Sequence, residues 1–559
     1  MKKNIKNLVA AIGFILILNV LGNYFFYRFD LTKDKRYTLS ETSLTILKNI
    51  KEPLFITVYL DGEFPAEFKK LQTETRQIIE EFQAYNSNII VNFENPVEED
   101  ANMTKVRSLF KKGLTPINIT VDVKGKQSQS MVFPWAIANY QGKEVNIPLL
   151  KNLMGASTEQ KVIGSVQHLE YAFADTFNKI TVKKQKKVAI IKGNGELRDI
   201  FLAKFLMQVR ESYHIGPFTL DSVASNSMAS LTALKKYDLA IIAKPTEKFS
   251  DEEKQVLDQF ILNGGKTLWL VDQVNIEMDS LYNESGSALA FPNDLNLNDM
   301  FFKYGFRISP DLIKDELGTP IKLATGEPGS ATQFQDFNWK FSPNIFPENN
   351  HPIVKNMGGL KFEFANPIDT LKNGIKKTIL LKSSKNSKKI GAPYEVNLNM
   401  VAEESSAADY QNKGSIPVAV LLEGQFHSVF ENRVLPFQDK TFQSKDKQSK
   451  MIVIADGDLI KNKLDKNFIP TELGYDSKSG NLYDNKEFLM NCVNYLLDDT
   501  GLINIRGKEV DLPLLDKEKV YQNYTRTQII TIGIPLLLLA IFGIIFTYLR
   551  RKKYSKSSN

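Results

Sequence analysis

Two uncharged apolar segments near the ends of the chain most strongly constrain what it can fold into. Leu8–Phe26 and Ile529–Leu549 contain no Asp, Glu, Lys or Arg. Each is about as long as a helix must be to cross the hydrocarbon core of a bilayer. Pro535 lies inside the second segment, and a proline is tolerated in a spanning helix. We therefore predict transmembrane helices at residues 8–27 and 529–549.

The first segment has an alternative interpretation as a cleavable signal peptide, with Lys2, Lys3 and Lys6 as its charged region. However, the apolar run continues into the bulky residues of Asn23–Tyr27, where cleavage requires small residues. A lipid-modified N-terminus is excluded because the one cysteine is Cys492. An uncleaved anchor is the favoured interpretation.

Basic residues flank both segments on their outer sides. They are Lys2, Lys3, Lys6, Arg550, Arg551, Lys552, Lys553 and Lys556. By the positive-inside rule, both tails, residues 1–7 and 550–559, are expected in the cytoplasm. The bulk of the chain then lies on the opposite side of the membrane from the two tails. In a bacterium this is the periplasmic side of the inner membrane.

The same tails account for the basic character of the chain. The formal charge is +7 over 559 residues, and the eight basic tail residues leave a body that is close to neutral. A nucleic-acid-binding protein concentrates basic charge on its folded body, so we expect no nucleic-acid partner. Cys492 lies in the apolar helical pattern FLMNCVNYLL, which is typical of packing rather than of a nucleophile.

Residues 36–150 have the pattern of a small α/β domain. Strand Leu54–Leu60, helix Glu67–Tyr85 and strand Asn88–Glu94 form a predicted βαβ unit. Further strands are predicted at Ile117–Val123, Ser130–Tyr140 and Glu144–Leu149, with Gln141-Gly142-Lys143 as a hairpin turn, and Thr38 and Glu41 are predicted to form a capping box. The order of elements is thioredoxin-like, but no C-x-x-C motif is present, which excludes thiol exchange.

A connecting helix at residues 156–180, capped by Ser157 and Gln160, is predicted to lead into a second domain at residues 187–500. Its pattern alternates apolar strands with helices, which indicates a doubly wound parallel sheet. The predicted elements are strands Lys187–Lys192, Asp238–Ala243, Lys266–Val271, Ile416–Leu422 and Met451–Ala455, and helices Glu196–Tyr213, Ser250–Asn263 and Lys486–Leu497. An insertion with short strands such as Thr378–Leu381 is predicted at about 280–400, and a stalk at 501–528.

Two glycine motifs resemble nucleotide-binding loops but lack their requirements. Gly264-Gly265-Lys266-Thr267 follows a helix and precedes a strand, the reverse of a phosphate-binding loop. It is better interpreted as a helix C-cap. Gly193–Glu196 follows a strand, but Arg198 holds the place of the third glycine. A tight turn is therefore favoured, although Asn194 and Glu196 still lie where α/β folds bind ligands.

Asp456-Gly457-Asp458 follows the apolar strand Met451–Ala455 and is the strongest candidate site. Functionally, Asp456 and Asp458 could hold Mg²⁺ or Ca²⁺ with help from Asp272, at the end of a neighbouring strand. Structurally, Asp-Gly is a preferred turn pair whose carboxylates bind local amides, and we favour the turn. The four histidines are scattered and no G-x-S-x-G motif is present. We therefore expect no zinc site, cofactor or serine nucleophile.

Several segments together resemble the auxiliary subunit of the gliding-motility ABC transporter of Bacteroidetes, the GldG family. They are VFPWAIANYQGKEVNIPLL (Val132–Leu150), LEYAFAD (Leu169–Asp175), IKGNGEL (Ile191–Leu197), VIADGDLIKN (Val453–Asn462) and NKEFLMNCVNYLLDD (Asn485–Asp499). The resemblance implies a separate multi-span permease and a cytoplasmic ATPase as partners, besides the lipid bilayer and other periplasmic or gliding-machinery proteins.

The second domain also resembles the class I glutamine amidotransferase-like fold through YDLAIIAKPTEKFSDEEKQVLDQFILNGGKTLWLVD, Tyr237–Asp272. In that fold a nucleophilic cysteine follows the strand corresponding to KTLWLV. Here the turn is Asp272-Gln273-Val274, so amidotransferase chemistry is not implied. We expect a non-enzymatic transporter subunit. A metal-assisted hydrolase of the cell envelope and a ligand-binding protein remain as alternatives.

Overall fold

The computed structural model describes residues 11–15, 17, 19, 30, 32, 35–97, 103–123, 126–325, 333–411, 413–446, 448–508 and 517–554. The chain divides into two compact units, residues 1–509 and 510–559. Residues 11–15 are helical, but most of the predicted first span, residues 8–27, lies outside the described residues.

The first part of the larger unit contains a four-stranded mixed sheet. Its elements are α1 (Glu41–Leu47), β1 (Leu54–Val58), α2 (Ala66–Tyr85), β2 (Ile89–Phe93), α3 (Thr104–Lys111), β3 (Ile117–Val123), β4 (Lys126–Val132), β5 (Trp135–Tyr140) and β6 (Lys143–Pro148). The strand order is β2-β1-β5-β6. β1 and β2 are parallel and joined by α2, as the predicted βαβ unit requires, whereas β5 runs antiparallel to β1 and β6.

Two local predictions in this region are wrong. The predicted strand Ser130–Tyr140 is two strands, because Pro134 has no N–H to continue a ladder. The first of them, β4, pairs with β3 rather than with the sheet. Helix α1 is capped by Ser40, which accepts from the Ser43 amide, and not by Thr38. By contrast, the hairpin at Gln141-Gly142 is confirmed, with φ of 53° and 80°, as a two-residue hairpin turn requires.

A long helix, α4 (Thr158–Thr181), connects this sheet to the rest of the unit. Its capping box between Ser157 and Gln160 is confirmed. The helix is anchored on α2 through aromatic contacts: the Phe82 ring centroid lies 6.0 Å from that of Phe173 and 5.2 Å from that of Phe177. Its buried positions include Val162, Leu169 and Phe173, so an apolar face of the helix is turned to the interior.

The second part is built on a seven-stranded sheet. Its strands are β7 (Lys187–Lys192), β8 (His214–Thr219), β9 (Leu239–Ala243), β10 (Lys266–Leu270), β19 (Lys376–Lys382), β22 (Pro417–Gly424) and β23 (Ser449–Ile454). Their order is β19-β22-β23-β10-β9-β7-β8. The five strands from β23 to β8 are mutually parallel, and β22 and β19 continue the sheet in antiparallel fashion.

Helices cover both faces of this sheet, as expected for parallel strands that are apolar throughout. They are α5 (Asp199–Ser212), α6 (Val223–Leu234), α7 (Asp251–Leu262), α8 (Asn298–Tyr304) and α10 (Asn485–Leu497). One core cluster joins Val188 and Ile190 to α5 and α10. The other joins Ala189 and Ile191 to α6, α7 and α8. Successive side chains of β7 point to opposite faces of the sheet and so lie in two different cores. The chain is a mixed α/β protein.

The weakly patterned region at about 280–400 contains short antiparallel strands. They are β11 (Val274–Asn275), β12 (Ser287–Pro292), β13 (Phe306–Ile308), β14 (Asp311–Asp315), β15 (Gly318–Thr325), β16 (Gln333–Ile345), β17 (Leu360–Lys361), β18 (Ile368–Thr370), β20 (Ser387–Gly391) and β21 (Tyr394–Asn397), with the one-turn helix α9 (Ala407–Tyr410). The predicted strand Thr378–Leu381 is not part of these small sheets, because β19 pairs with β22 at the edge of the central sheet.

A buried charge network joins the two parts of this unit. The Arg506 side chain is 1% exposed and its Nη2 lies 2.9 Å from Oε1 of Glu487 on α10. The same oxygen accepts from Lys151 at 2.7 Å, and Arg506 Nη1 lies 3.3 Å from Nδ1 of His168 on α4. Burial and the neighbouring cations of Lys151 and Arg506 hold the pKa of His168 well below its usual value, so the neutral ring can accept this hydrogen bond.

Arg506 belongs to a short 3₁₀ helix, Leu502–Gly507, that is packed into the body. Leu502, Ile503 and Ile505 of this helix are buried. The segment predicted as a stalk from residue 501 therefore begins inside the folded body, and the boundary between the two units lies at residues 509–510.

The smaller unit is helical and apolar over the predicted second span. It contains α11 (Lys517–Gln522), α12 (Tyr524–Gln528) and α13 (Ile534–Tyr554), with a π-helical turn at Ile529–Gly533. The turn ends two residues before Pro535, which cannot donate a backbone hydrogen bond. Among the described residues, Tyr524–Lys552 is the one helix long and apolar enough to cross a membrane, and an 18-residue stretch within it has a mean hydropathy of 2.8.

We predict that Arg506→Ala lowers the free energy of unfolding by about 3 kcal/mol, because it removes one partner from a buried ion pair. Thermal and urea unfolding of the full chain in detergent measure the effect. Arg433→Ala is the matched control, since Arg433 is 57% exposed in its pair with Asp299 and its loss should cost less than about 1 kcal/mol. Equal effects of the two substitutions would contradict the structural role of Arg506.

Candidate functional site

The three predicted aspartates meet at the carboxyl edge of the central sheet. Asp272 follows β10 and Asp456-Gly457-Asp458 follows β23. These strands are parallel neighbours with Leu270 opposite Ile454, so both strands deliver their carboxylates to one place. Gly457 joins the two sides directly, because its amide donates to Oδ1 of Asp272 at 2.5 Å.

Asp456 is fully buried and its two oxygens bind backbone amides. Oδ1 accepts from the Asp458 amide at 2.7 Å, and Oδ2 accepts from the Glu363 amide at 2.7 Å. Burial, followed by the nearby charges of Asp272 and Asp458, raises the pKa of Asp456 well above its usual value. Asp456 therefore acts as a local organiser of the turn, as the structural interpretation of the motif expects.

Asp458 begins a 3₁₀ turn, Asp458–Ile460, and its side chain is 6% exposed. Burial raises its pKa to about 6, against the opposing influence of the Lys244 cation. Keeping a carboxylate charged in this buried position costs free energy unless a cation lies beside it.

Lys244 supplies that cation, and sequence reasoning missed it. Its side chain is 6% exposed, and its Nζ lies 2.6 Å from Oδ1 of Asp458 and 3.4 Å from Oδ2 of Asp272. It also pairs with Glu277. Although burial lowers the pKa of a lysine, the surrounding carboxylates outweigh it and the pKa of Lys244 is raised. The available signal was its position as the first residue after strand β9, directly at the same sheet edge.

Lys244 is also held in an unusual backbone conformation, with a φ of 54°. A non-glycine residue in the left-handed region is uncommon, and such residues cluster at functional sites. A second lysine, Lys461, lies 2.8 Å from Oε2 of Glu277 and 3.4 Å from Oδ1 of Asp458. Asp272 and Asp458 are thus paired with ammonium groups of the chain itself.

This arrangement suits ion pairing better than metal binding. A Mg²⁺ or Ca²⁺ site needs several oxygen ligands free to converge on one point. Here the oxygens of Asp456 accept from amides, and Lys244 lies between Asp272 and Asp458. Within the described part of the chain, no group of three or more His, Cys, Asp or Glu residues is arranged to hold a metal ion.

Asn194 and Glu196 lie at the same sheet edge but do not join the aspartates. They follow β7, which is separated from β10 by β9. The Glu196 carboxylate accepts from the Asn194 amide at 2.9 Å, and Asn194 Nδ2 donates to Glu253 at 3.1 Å. Gly195 has a φ of 74°, and a Cβ there would lie 2.1 Å from Thr246 Oγ1. Helix α5 begins at Asp199, three residues later than predicted, so this segment forms a tight turn.

A cleft of about 340 Å³ opens beside the aspartates, and we call it the edge cleft. Its apolar wall includes Phe201, Met278, Leu464, Leu473 and Tyr475. Its carboxylates are Glu277, Asp279, Glu363, Asp458 and Glu472. Its lysines are Lys361, Lys461 and Lys463. A pocket at the carboxyl ends of parallel strands is where α/β proteins bind ligands.

Lys244→Met should destabilise the chain by about 3 kcal/mol at pH 8 and by much less at pH 5, because it leaves buried carboxylates without their cation. The folded-state pKa of Asp458, about 6, lies above its usual value of 3.8. A raised carboxyl pKa destabilises the folded state as the pH rises from the usual value of 3.8 to the folded value, and the penalty stays constant above that folded value. Below it, Asp458 takes up a proton and the missing cation matters less. Unfolding midpoints at both pH values measure this.

Lys254→Met is the control, because Lys254 is equally buried but pairs with Asp251 and Asp299, which are 61% and 37% exposed. Its effect should not grow between pH 5 and pH 8. If both variants respond to pH alike, Lys244 has no special relation to the aspartates.

The two parts of the chain match two different families of known proteins. Residues 185–492 match the family described as an ABC-type uncharacterized transport system, and residues 33–139 match a domain of unknown function, DUF7088. An uncharacterized protein of Borreliella burgdorferi is 20% identical over 559 residues, covering 99% of each chain. A solved structure described as the mmIFT52 N-terminal domain is 14% identical, with a TM-score of 0.31, and covers 56% of this chain and 99% of its own. The family match over residues 185–492 covers more than half of this chain. The chain therefore belongs to the ABC-type uncharacterized transport system family.

Proposed function

We propose that this protein is a non-enzymatic, membrane-anchored auxiliary subunit of an ABC transporter. It couples a separate permease and a cytoplasmic ATPase to a partner or cargo on the periplasmic side. The observation that carries the proposal is the pairing of Lys244 with Asp272 and Asp458. A site whose carboxylates are already neutralised by the chain offers a binding surface rather than a reactive centre.

The membrane anchoring is supported by the apolar helix Tyr524–Lys552. The proposed topology adds a second anchor at residues 8–27 and places both basic tails in the cytoplasm. In this arrangement the anchors pack beside the permease helices, and the body occupies the periplasm. Family membership supports a permease and an ATPase as partners in general.

The finer assignments rest on sequence resemblance. The order β2-β1-β5-β6, with α2 between the parallel pair, supports a thioredoxin-like first domain. The parallel sheet with helices on both faces supports an amidotransferase-like second domain, in which the turn Asp272-Gln273-Val274 has no cysteine where that fold has its nucleophile. The role in gliding motility is part of the proposal through the resemblance of segments such as Val453–Asn462.

Two alternatives remain. A metal-assisted hydrolase is favoured by the presence of a third carboxylate, Asp272, beside Asp456 and Asp458. A ligand-binding protein is favoured by the edge cleft. The lysine pairing argues against the first alternative, and the second is compatible with an auxiliary subunit that presents cargo to a permease.

We expect the tagged full chain, extracted in mild detergent, to co-purify with a multi-span permease and an ATPase. Asp458→Asn should leave this association intact and should cause no loss of transport, because the residue is not a reactive group in this proposal. Quantitative mass spectrometry of the purified complex and a transport assay in cells provide the readouts.

The hydrolase alternative predicts a different set of results. Millimolar Mg²⁺ or Ca²⁺ would then raise the unfolding temperature, a chelator would lower it, and Asp458→Asn would abolish both shifts. Such metal-dependent shifts, or an anchored chain that never co-purifies with a permease, would count against a non-enzymatic subunit.

A further inference from the structure

The edge cleft combines charged side chains with a partly apolar wall. Five carboxylates and three lysines line it. The lysines are already engaged: Lys461 pairs with Glu277 and Asp458, and Lys463 lies 2.9 Å from Glu363. Four of the five carboxylates also have lysine partners: Lys244 pairs with Glu277 and Asp458, Lys463 pairs with Glu363, and Lys486, outside the lining, pairs with Glu472.

Asp279 is the clearest uncompensated charge in the cleft. It is exposed at the wall formed by the 3₁₀ helix Met278–Leu281. Within the described part of the chain, its carboxylate makes no ion pair, whereas the nearby Glu277 binds two lysines. A cation that enters the cleft can therefore meet Asp279 without displacing an existing ion pair.

One lip of the cleft is a rigid loop that presents two apolar side chains to solvent. Phe468 is 75% exposed and Ile469 is 57% exposed. The loop starts beside Leu464, which lines the cleft and forms a β-bridge with Pro470. The apolar tip is therefore attached directly to the mouth of the cleft.

Asp465 fixes this tip in place. Its Oδ1 accepts from the amides of Asn467 and Ile469, both at 2.8 Å. Its backbone amide donates to the Ile469 carbonyl at 2.9 Å. Phe468 is held at a φ of 60°, which is a rare conformation for a bulky residue. A strained loop that exposes a phenylalanine is a candidate contact surface, because exposed aromatic anchors dominate protein interfaces.

Resting on the proposed function, we infer that the edge cleft and the Phe468 tip form a docking surface for a basic, extended segment of a partner polypeptide. A lysine or arginine head group of that segment meets the unpaired carboxylate of Asp279. Their aliphatic stems lie along Phe201, Met278 and Leu473, and an apolar neighbour packs on Phe468. A side chain with a long apolar stem and a cationic end matches both features of the cleft.

The test uses the full chain in micelles of a neutral detergent and a fluorescently labelled peptide that alternates lysine with alanine. Fluorescence anisotropy should show saturable binding that weakens with added salt. Asp279→Lys should weaken the affinity by about tenfold, since it places like charges together. Phe468→Ser should weaken it by about threefold, since it removes an apolar contact.

Two matched variants control for general effects of charge and surface. Glu404→Lys reverses an exposed charge outside the cleft, and Phe302→Ser removes a phenylalanine that is 64% exposed on α8. Both should bind the lysine peptide like the unaltered chain. A peptide that alternates glutamate with alanine should not bind.

Several results would overturn the inference. They are equal binding of the glutamate peptide, no binding of the lysine peptide, or the same loss in all four variants. Capture of the chain by anionic vesicles in a Phe468-dependent manner, without peptide binding, would instead identify a lipid surface and reject a polypeptide partner.

Permease association is measured separately on the same variants. Asp279→Lys and Phe468→Ser should still co-purify with the permease, because neither residue lies in the membrane anchor. Loss of permease association in the unaltered chain would refute the proposed function, while the peptide result alone decides the docking surface.

Discussion

The Lys244 ammonium, lying between Asp272 and Asp458, allows the parallel sheet to end in a cluster of buried carboxylates. Parallel strands bring their carboxyl ends to one edge, so residues that follow β10 and β23 are forced together. Several buried carboxylates at that distance would repel one another unless protonated or paired. Lys244, which follows the adjacent strand β9, pairs with these carboxylates. The site is therefore an ion-pair network formed within the chain.

The second structural constraint is the buried Arg506 network. It connects Lys151 after the small sheet, His168 on the connecting helix and Glu487 on α10. Each of these groups would be costly to bury alone, whereas together they form a satisfied set of hydrogen bonds and charges. The same segment reaches Glu170 through Lys508 at 2.8 Å. Motion of one sheet against the other would therefore break several polar contacts at once.

Helices and strands were predicted correctly where a sequence signal within a few residues marks them. Helices with capping boxes, at Ser157 and Ser250, begin where their sequences indicate, because those signals are complete within four residues. The edge strand His214–Thr219 was missed, since it contains Gly216 and Pro217 and its side chains are only partly buried. The strand Lys376–Lys382 was recognised but assigned to the insertion. Its place beside β22 depends on pairing with residues some forty positions away.

At the candidate site, too, some residues could be identified from the sequence and others only from the structure. The sequence identified Asp272, Asp456 and Asp458 because a parallel sheet allows its strand ends to be located from the pattern alone. It also placed Asn194 and Glu196 at this edge, but it did not indicate that one intervening strand keeps them apart from the aspartates. Lys244 escaped notice because lysine after a strand is common, and nothing local distinguishes a solvated lysine from one enclosed by three carboxylates.

The sequence by itself determined the apolar C-terminal helix, the alternation of strands and helices, and the identity of the residues at the sheet edge. These features follow from hydrophobic periodicity and turn chemistry, which act over a few residues. Only the tertiary structure decided which charges neutralise one another, which strands are neighbours and where the edge cleft opens. Those outcomes depend on distances between residues far apart in the chain, and electrostatic energies change steeply with distance and burial.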